Sequence, residues 1–178
     1  QFYKNIIIFE NCFVMKRFLC GFLLVFGFVA VIGQQDSVYI AARIVENDRQ
    51  VSVNQEITYF NNTNSSLEKI KLLNWISAYK NRNTPLLKRK LEDRKSELYF
   101  AKSSELGSVE NFKAKIDNKE ISGVNESDEN IYLTLAEKLE PGKSVKISLE
   151  YTLNLPSEKF TNYGTDGKKF KLKYFFIV

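Results

Sequence analysis

Residues 130–155 read NIYLTLAEKLEPGKSVKISLEYTLNL, and their period decides the fold class. Val145, Ile147, Leu149, Tyr151, Leu153 and Leu155 occupy every second position, the longest unbroken alternation in the chain. Successive side chains of an extended strand point to opposite faces, so such a series buries one face and leaves the other in water. Ile131, Leu133 and Leu135 repeat the pattern upstream, and Pro141-Gly142 between the two runs carries turn chemistry. The spacing predicts an antiparallel hairpin.

Working outward, the same period recurs at Val38, Ile40, Ala42 and Ile44 and again at Val51, Val53, Ile57 and Tyr59, where Gln55 alone breaks the series. Asn47-Asp48 reads as the turn between them. A polar break over residues 61–66 precedes LEKIKLLNW (67–75), in which Leu67, Ile70, Leu72 and Leu73 point to a third strand. Thr84-Pro85 is a helix start, because Thr caps orphan amides and Pro tolerates the first helical position. LLKRKLEDRKSEL follows, with Leu87, Leu91 and Leu98 on one side. Strands are expected again at Leu98-Tyr99-Phe100 and over 109–116, with a turn at 117–120, and Phe170, Leu172, Tyr174 and Phe176 alternate as a last strand. Short strands with turns between them, one short helix and no βαβ rhythm give a mainly β class, an antiparallel sandwich or saddle.

The amino-terminal region reads differently. Met15-Lys16-Arg17 stands before Phe18 to Ile32, fifteen apolar or small residues ending in Val31-Ile32-Gly33. A charged opening, an apolar run of this length and small residues at its end make a signal peptide over 15–33, cleaved near Gly33, with a secreted or periplasmic product. A stable membrane span needs about 20 apolar residues, and this run stops at Gln34-Gln35-Asp36. Residues 1–14 have no place in such a signal and are expected to be a non-native upstream segment. Residues 34–178 are then one β-rich domain, expected to be incomplete at its carboxyl-terminal end.

Composition narrows the chemistry. The net charge of +5 falls to +3 once residues 1–33, with Lys4, Lys16, Arg17 and Glu10, are removed. Basic and acidic residues are interleaved along most of the chain, which argues against nucleic acid as a partner. The two cysteines, Cys12 and Cys20, precede the expected cleavage point, so burial alone must hold the mature domain.

The chain has no histidine, which removes Ser-His-Asp and Cys-His nucleophile systems and the paired histidines of a zinc hydrolase. Gly142-Lys143-Ser144 follows Pro141 in a turn and lacks the first glycine of a phosphate loop. The acidic run Glu126, Ser127, Asp128, Glu129 lacks the alternate ligands and central glycine of a calcium loop and reads as solvated. Lys88, Arg89, Lys90, Arg94 and Lys95 are mixed with Glu92, Asp93 and Glu97, as on a solvated helix face laced with ion pairs. No catalytic, cofactor-binding or metal residue is assigned. Asn61-Asn62-Thr63, Asn64-Ser65-Ser66 and Asn125-Glu126-Ser127 are formal N-glycosylation acceptors.

Four phrases taken in order carry a resemblance: EITYFNNTNSSLEKIKLLNW (56–75), AYKNRNTPLLKRKLE (78–92), ELYFAKSSELGSV (97–109) and LEPGKSVKISLEYTLNLPSEKFTNYG (139–164). From about Val38 onward the chain resembles the amino-terminal β domain of secreted bacterial aminopeptidase-like proteins of the M1 (gluzincin) metallopeptidase type. The resemblance implies a β saddle that packs on a thermolysin-like zinc domain. The His-Glu-x-x-His helix, the downstream glutamate and the Gly-x-Met-Glu-Asn loop have no counterpart here, so no catalytic residue carries over.

The chain is therefore expected to be non-catalytic and without a cofactor of its own, zinc belonging to the parent's catalytic domain. Its expected partners are that domain and peptides. The alternative is an independent secreted β-sandwich that binds or adheres to a partner, and a third reading is a scaffold whose parent has lost its metal site.

Overall fold

A computed structural model describes residues 35–45, 49–121, 123–127, 129–161 and 163–178. The expected upstream segment (1–14), the signal (15–33) and the Asn47-Asp48 turn lie outside the described residues. Residues 35–178 fall in one compact unit.

The strands are β1 (Ser37–Val45), β2 (Gln50–Phe60), β3 (Leu67–Leu73), β4 (Ser108–Ile116), β5 (Lys119–Glu120), β6 (Val124–Ser127), β7 (Asn130–Leu139), β8 (Ser144–Asn154), β9 (Tyr163–Thr165) and β10 (Phe170–Leu172); β6 and β9 lie outside the alternating segments, and β5 takes the second half of the turn expected at 117–120. They form a five-stranded sheet in the order β1-β2-β8-β4-β5, a three-stranded sheet β3-β7-β6 and a pair β10-β9, with every strand pairing antiparallel. The mainly β class with one α-helix holds. β8 is the centre, paired along its length with β2 on one side and with β4 on the other. Register sets Val51 against Leu153, Val53 against Tyr151, Gln55 against Leu149 and Ile57 against Ile147, all buried. With Ile70, Leu72, Ile131 and Leu133 of the smaller sheet they belong to one core cluster.

The hairpin expected at 130–155 does not form. Both strands exist, but β7 pairs with β3 and β6 while β8 pairs with β2 and β4. The turn itself is present: the Lys143 N–H donates to the Glu140 carbonyl (3.1 Å), with Pro141 second and Gly142 third at φ 74°. Pro followed by a positive-φ Gly is a type II turn, whose twist splays flanking strands instead of pairing them. The turn therefore passes the chain from one sheet to the other. By contrast Asp117 (φ 48°) and Asn118 (φ 66°) both take positive φ, the type I′ geometry that matches strand twist, and β4 and β5 do pair across them.

The helix α1 (Pro85–Glu92) starts where the sequence places it. The Thr84 hydroxyl accepts from the Leu87 N–H (3.3 Å) and donates to the Ala78 carbonyl (2.8 Å). It ends earlier than the leucine spacing suggests. Arg94 adopts φ 58°, the Arg94 N–H donates to Leu91 O (2.9 Å) and the Lys95 N–H to Lys90 O (2.8 Å). This is a Schellman termination at a residue other than the usual glycine. Leu98 consequently reaches the core from a turn and not from the helix, and Leu98-Tyr99-Phe100 is a turn, not a strand. Among the described residues no ion pair involves α1. Lys90 instead donates to the Phe160 carbonyl (3.0 Å), so the basic face is solvated but not laced with ion pairs.

Phe170 and Leu172 lie in β10, and the expected alternation then stops at Tyr174, where φ is 55°. Ile177 takes the buried position, and Val178 exchanges backbone hydrogen bonds with Leu73 at the end of β3.

Candidate functional site

Gln55, the residue that interrupts the β2 alternation, is 1 % exposed. The Tyr151 hydroxyl donates to its Oε1 (2.8 Å), its Nε2 donates to the Ile177 carbonyl, and the Ile177 N–H donates to the Tyr151 oxygen (3.3 Å). Each polar group of this ring has a partner, as burial demands. Burial pushes the Tyr151 phenol up to about 12, against a lowering contribution from the Ile177 amide. The ring is structural: it ties the carboxyl-terminal segment to the middle of the large sheet.

Beside it lies an aromatic pocket of about 220 Å³ lined by Trp75, Tyr79, Thr161, Tyr163, Lys173 and Tyr174. Trp75 opens a 3₁₀ turn directly after β3 whose next four residues are buried, so the indole is left at the surface, 41 % exposed. Tyr79 closes the same turn, and its ring meets that of Tyr163 at 6.3 Å and 43°. Tyr174 is 62 % exposed, with the Lys173 ammonium 5.1 Å from its ring centroid. Burial raises the Tyr79 phenol, a hydrogen bond with Thr161 lowers it, and Glu129 adds a smaller raising influence. Tyr163 is raised much further by burial, then by Tyr151 and Tyr79, and its hydroxyl has no hydrogen-bond partner among the described residues.

β9 presses Tyr163 into place. A Cβ on Gly164 (φ 156°) would stand 2.5 Å from the Pro156 carbonyl oxygen, so only glycine allows the strand this close. The arrangement holds flat rings, hydroxyls and one ammonium. It can stack and hydrogen-bond a ligand or a partner's side chain.

The sequence assigned no site residue, and this pocket was not legible in it. The alternation places Tyr174 in a strand, and its partners Trp75 and Tyr79 lie about 100 positions upstream. The single tryptophan directly after a strand was the one available signal. The acidic run falls on β6 and the turn after it, with Asp128 outside the described residues. Gly142-Lys143-Ser144 lies in the type II turn and the start of β8. Among the described residues no group of three or more His, Cys, Asp or Glu side chains is placed to hold a metal ion, and no helix is long and apolar enough to cross a membrane.

No protein-family model and no curated protein matches the chain. Solved structures do match in part. The M1 zinc metallopeptidase from Deinococcus radiodurans aligns over 66 % of this chain at 12 % identity and a TM-score of 0.38. A mutant of the same enzyme bound to a Tyr-Ser-Ala substrate aligns over 66 % at 13 % identity and a TM-score of 0.37. This chain spans 19 % of the length of each of those proteins, and no residue correspondence is drawn from them.

Proposed function

We propose that this chain is the non-catalytic amino-terminal domain of an exported M1-type zinc aminopeptidase-like protein. Its role is to support and cover the cleft of a catalytic domain carried further along the parent chain, where the zinc is bound. The observation that carries the reading is the order of the four phrases between 56 and 164. They span β2 to β3, the 3₁₀ turn and α1, the turn before β4, and the β7 to β8 crossing through to β9, all feeding one core. The absence of any histidine supports a supporting role over a catalytic one.

The coding sequence downstream of Val178 tests this. A helix bearing His-Glu-x-x-His with a later glutamate is expected. A stop codon directly after Val178 would overturn the proposal, as would turnover of aminoacyl substrates that tracks the purified chain and survives chelation.

The aromatic pocket favours a second reading, an independent secreted binding module. Exposed Trp and Tyr beside a cavity are the residue types that anchor partners. Under this reading the chain alone binds a partner through Trp75 and Tyr174.

A further inference from the structure

We propose that β1 is a homodimer interface, through which two copies of this chain join edge to edge by antiparallel pairing of Ser37–Val45 about a two-fold axis at Ala41. The inference goes beyond both readings of the function and depends on neither.

The large sheet ends differently at its two sides. At one side stands β5, only two residues long, with Lys119 and Glu120 both charged and both exposed. A short, charged edge offers another strand little to pair with. At the other side stands β1, nine residues that pair with β2 without a register shift, so no bulge turns the strand away. Among the described residues no strand pairs with its outer edge. It carries no proline, and Arg43 is its single charge. Such an edge presents a row of backbone N–H and C=O groups to any strand that can lie beside it.

Its side chains are as uncovered as its backbone. Val38, Ala42 and Ile44 stand opposite Ile57, Val53 and Val51 of β2, which are buried, yet all three are exposed, and Ile40 is half-buried. On the other face Tyr39 is 68 % exposed.

The residue pattern selects a second copy as the partner. In the antiparallel register that uses all nine residues, Ser37 faces Val45 of the second copy and Ala41 faces Ala41. Val38 then meets Ile44 and Ile40 meets Ala42, each pair occurring twice, so the apolar row runs on from one copy into the other. Tyr39 meets Arg43, a guanidinium against an aromatic ring, and the two arginines stay apart. Apolar and cation–ring pairs directly opposite each other stabilise a sheet, whereas opposed like charges weaken it. Centring the pair on Arg43 would oppose the two guanidinium groups, and a slip by one residue would set the apolar row against the Tyr39 face. A two-fold interface requires a surface complementary to itself, and β1 meets that requirement in one full-length register.

Residues 35–178 form one compact unit around one core, and sedimentation of this unit over a dilution series tests the proposal. A dimer that dissociates to monomer is expected, because pairing two β1 edges uses up both. Ala41→Lys sets two ammonium groups opposite each other on the Tyr39 face and should abolish the dimer while the β-sheet circular dichroism is retained. The unit holds no cysteine, so single cysteines report the register. Ala41→Cys should form an intermolecular disulfide on mild oxidation, since directly opposed residues have Cα atoms about 4.5–5.5 Å apart. Ser37→Cys should not, because its counterpart lies eight positions along the strand, about 26 Å away. If Ala41→Lys fails to fold, the cysteine pair still decides. A monomer at every concentration would overturn the proposal and leave the edge to a different chain. So would open-ended oligomers, a folded Ala41→Lys dimer, or cross-linking through Ser37→Cys in place of Ala41→Cys.

Discussion

Two neighbouring regions bury tyrosine hydroxyls and treat them in opposite ways. At Gln55, Tyr151 and Ile177 each polar group has a partner, and the ring is closed on itself. At Tyr79, Thr161 and Tyr163 a deeper hydroxyl, that of Tyr163, has no partner among the described residues, and the rings around it face a cavity. A satisfied buried network contributes to stability and fixes one arrangement, whereas an unsatisfied group costs its desolvation. The first region thus serves the fold, and the second is where the fold retains an unused interaction.

The largest effect should come from breaking the closed ring. Gln55→Ala leaves the Tyr151 O–H without an acceptor and removes the amide that donates to the Ile177 carbonyl, and it opens a cavity on the core face of the β2–β8 pair. A loss of about 2–4 kcal/mol is expected, since unsatisfied groups cost about 1–3 kcal/mol and cavities add to that. Chemical denaturation of the mature chain measures it. A change below about 0.5 kcal/mol, typical of surface substitutions, would mean that the ring does not hold the carboxyl-terminal segment.

That ring also marks where the sequence was and was not legible. Strand positions followed from period alone, and β1, β2, β3, β4 and β8 stand where it put them. The alternation of β1 does not mark a buried face, however: Val38 and Ile44 are exposed on this edge strand, and only Ile40 packs partly against the core. Pairing did not follow. Nothing in the alternation of Ile131 to Leu135 distinguishes a partner in the same sheet from one in the other, and a Pro-Gly pair is compatible with both outcomes. Gln55 was visible only as an interruption, since its partners lie 96 and 122 positions away. The pocket was less legible still. It needs the left-handed backbone at Tyr174, which no residue type there announces, and the close approach that Gly164 permits.

Alkali should act on both regions at once. The Tyr151 phenol is raised to about 12 from an ordinary value near 10, and Tyr163 is raised in the same direction. Below pH 10 both are neutral in the folded and unfolded states, so their contribution is fully present. As pH rises from 10 toward 12 the unfolded chain loses these protons while the folded chain keeps them. Stability then falls by about 1.4 kcal/mol per pH unit for each such phenol. Denaturation midpoints measured at intervals from pH 9 to 12 check the slope. A flat profile would show that neither hydroxyl is shielded from water.

The smallest effect distinguishes the regions most sharply, because its sign is opposite. Tyr163→Phe removes the one hydroxyl that has no partner and leaves the ring in place against Tyr79. Removing an unpaired buried polar group while keeping shape relieves its desolvation cost, so a gain of about 1 kcal/mol is expected. Tyr151→Phe makes the same chemical change in the closed ring, where it strands Gln55 Oε1 and the Ile177 N–H, and a loss of about 1–3 kcal/mol is expected. Each variant loses one oxygen from a buried tyrosine, so their difference cancels what is common to losing a phenol. Parallel thermal and denaturant melts give the comparison. If Tyr163→Phe loses stability as Tyr151→Phe does, the Tyr163 hydroxyl is paired in the folded protein, and the pocket holds no unused donor.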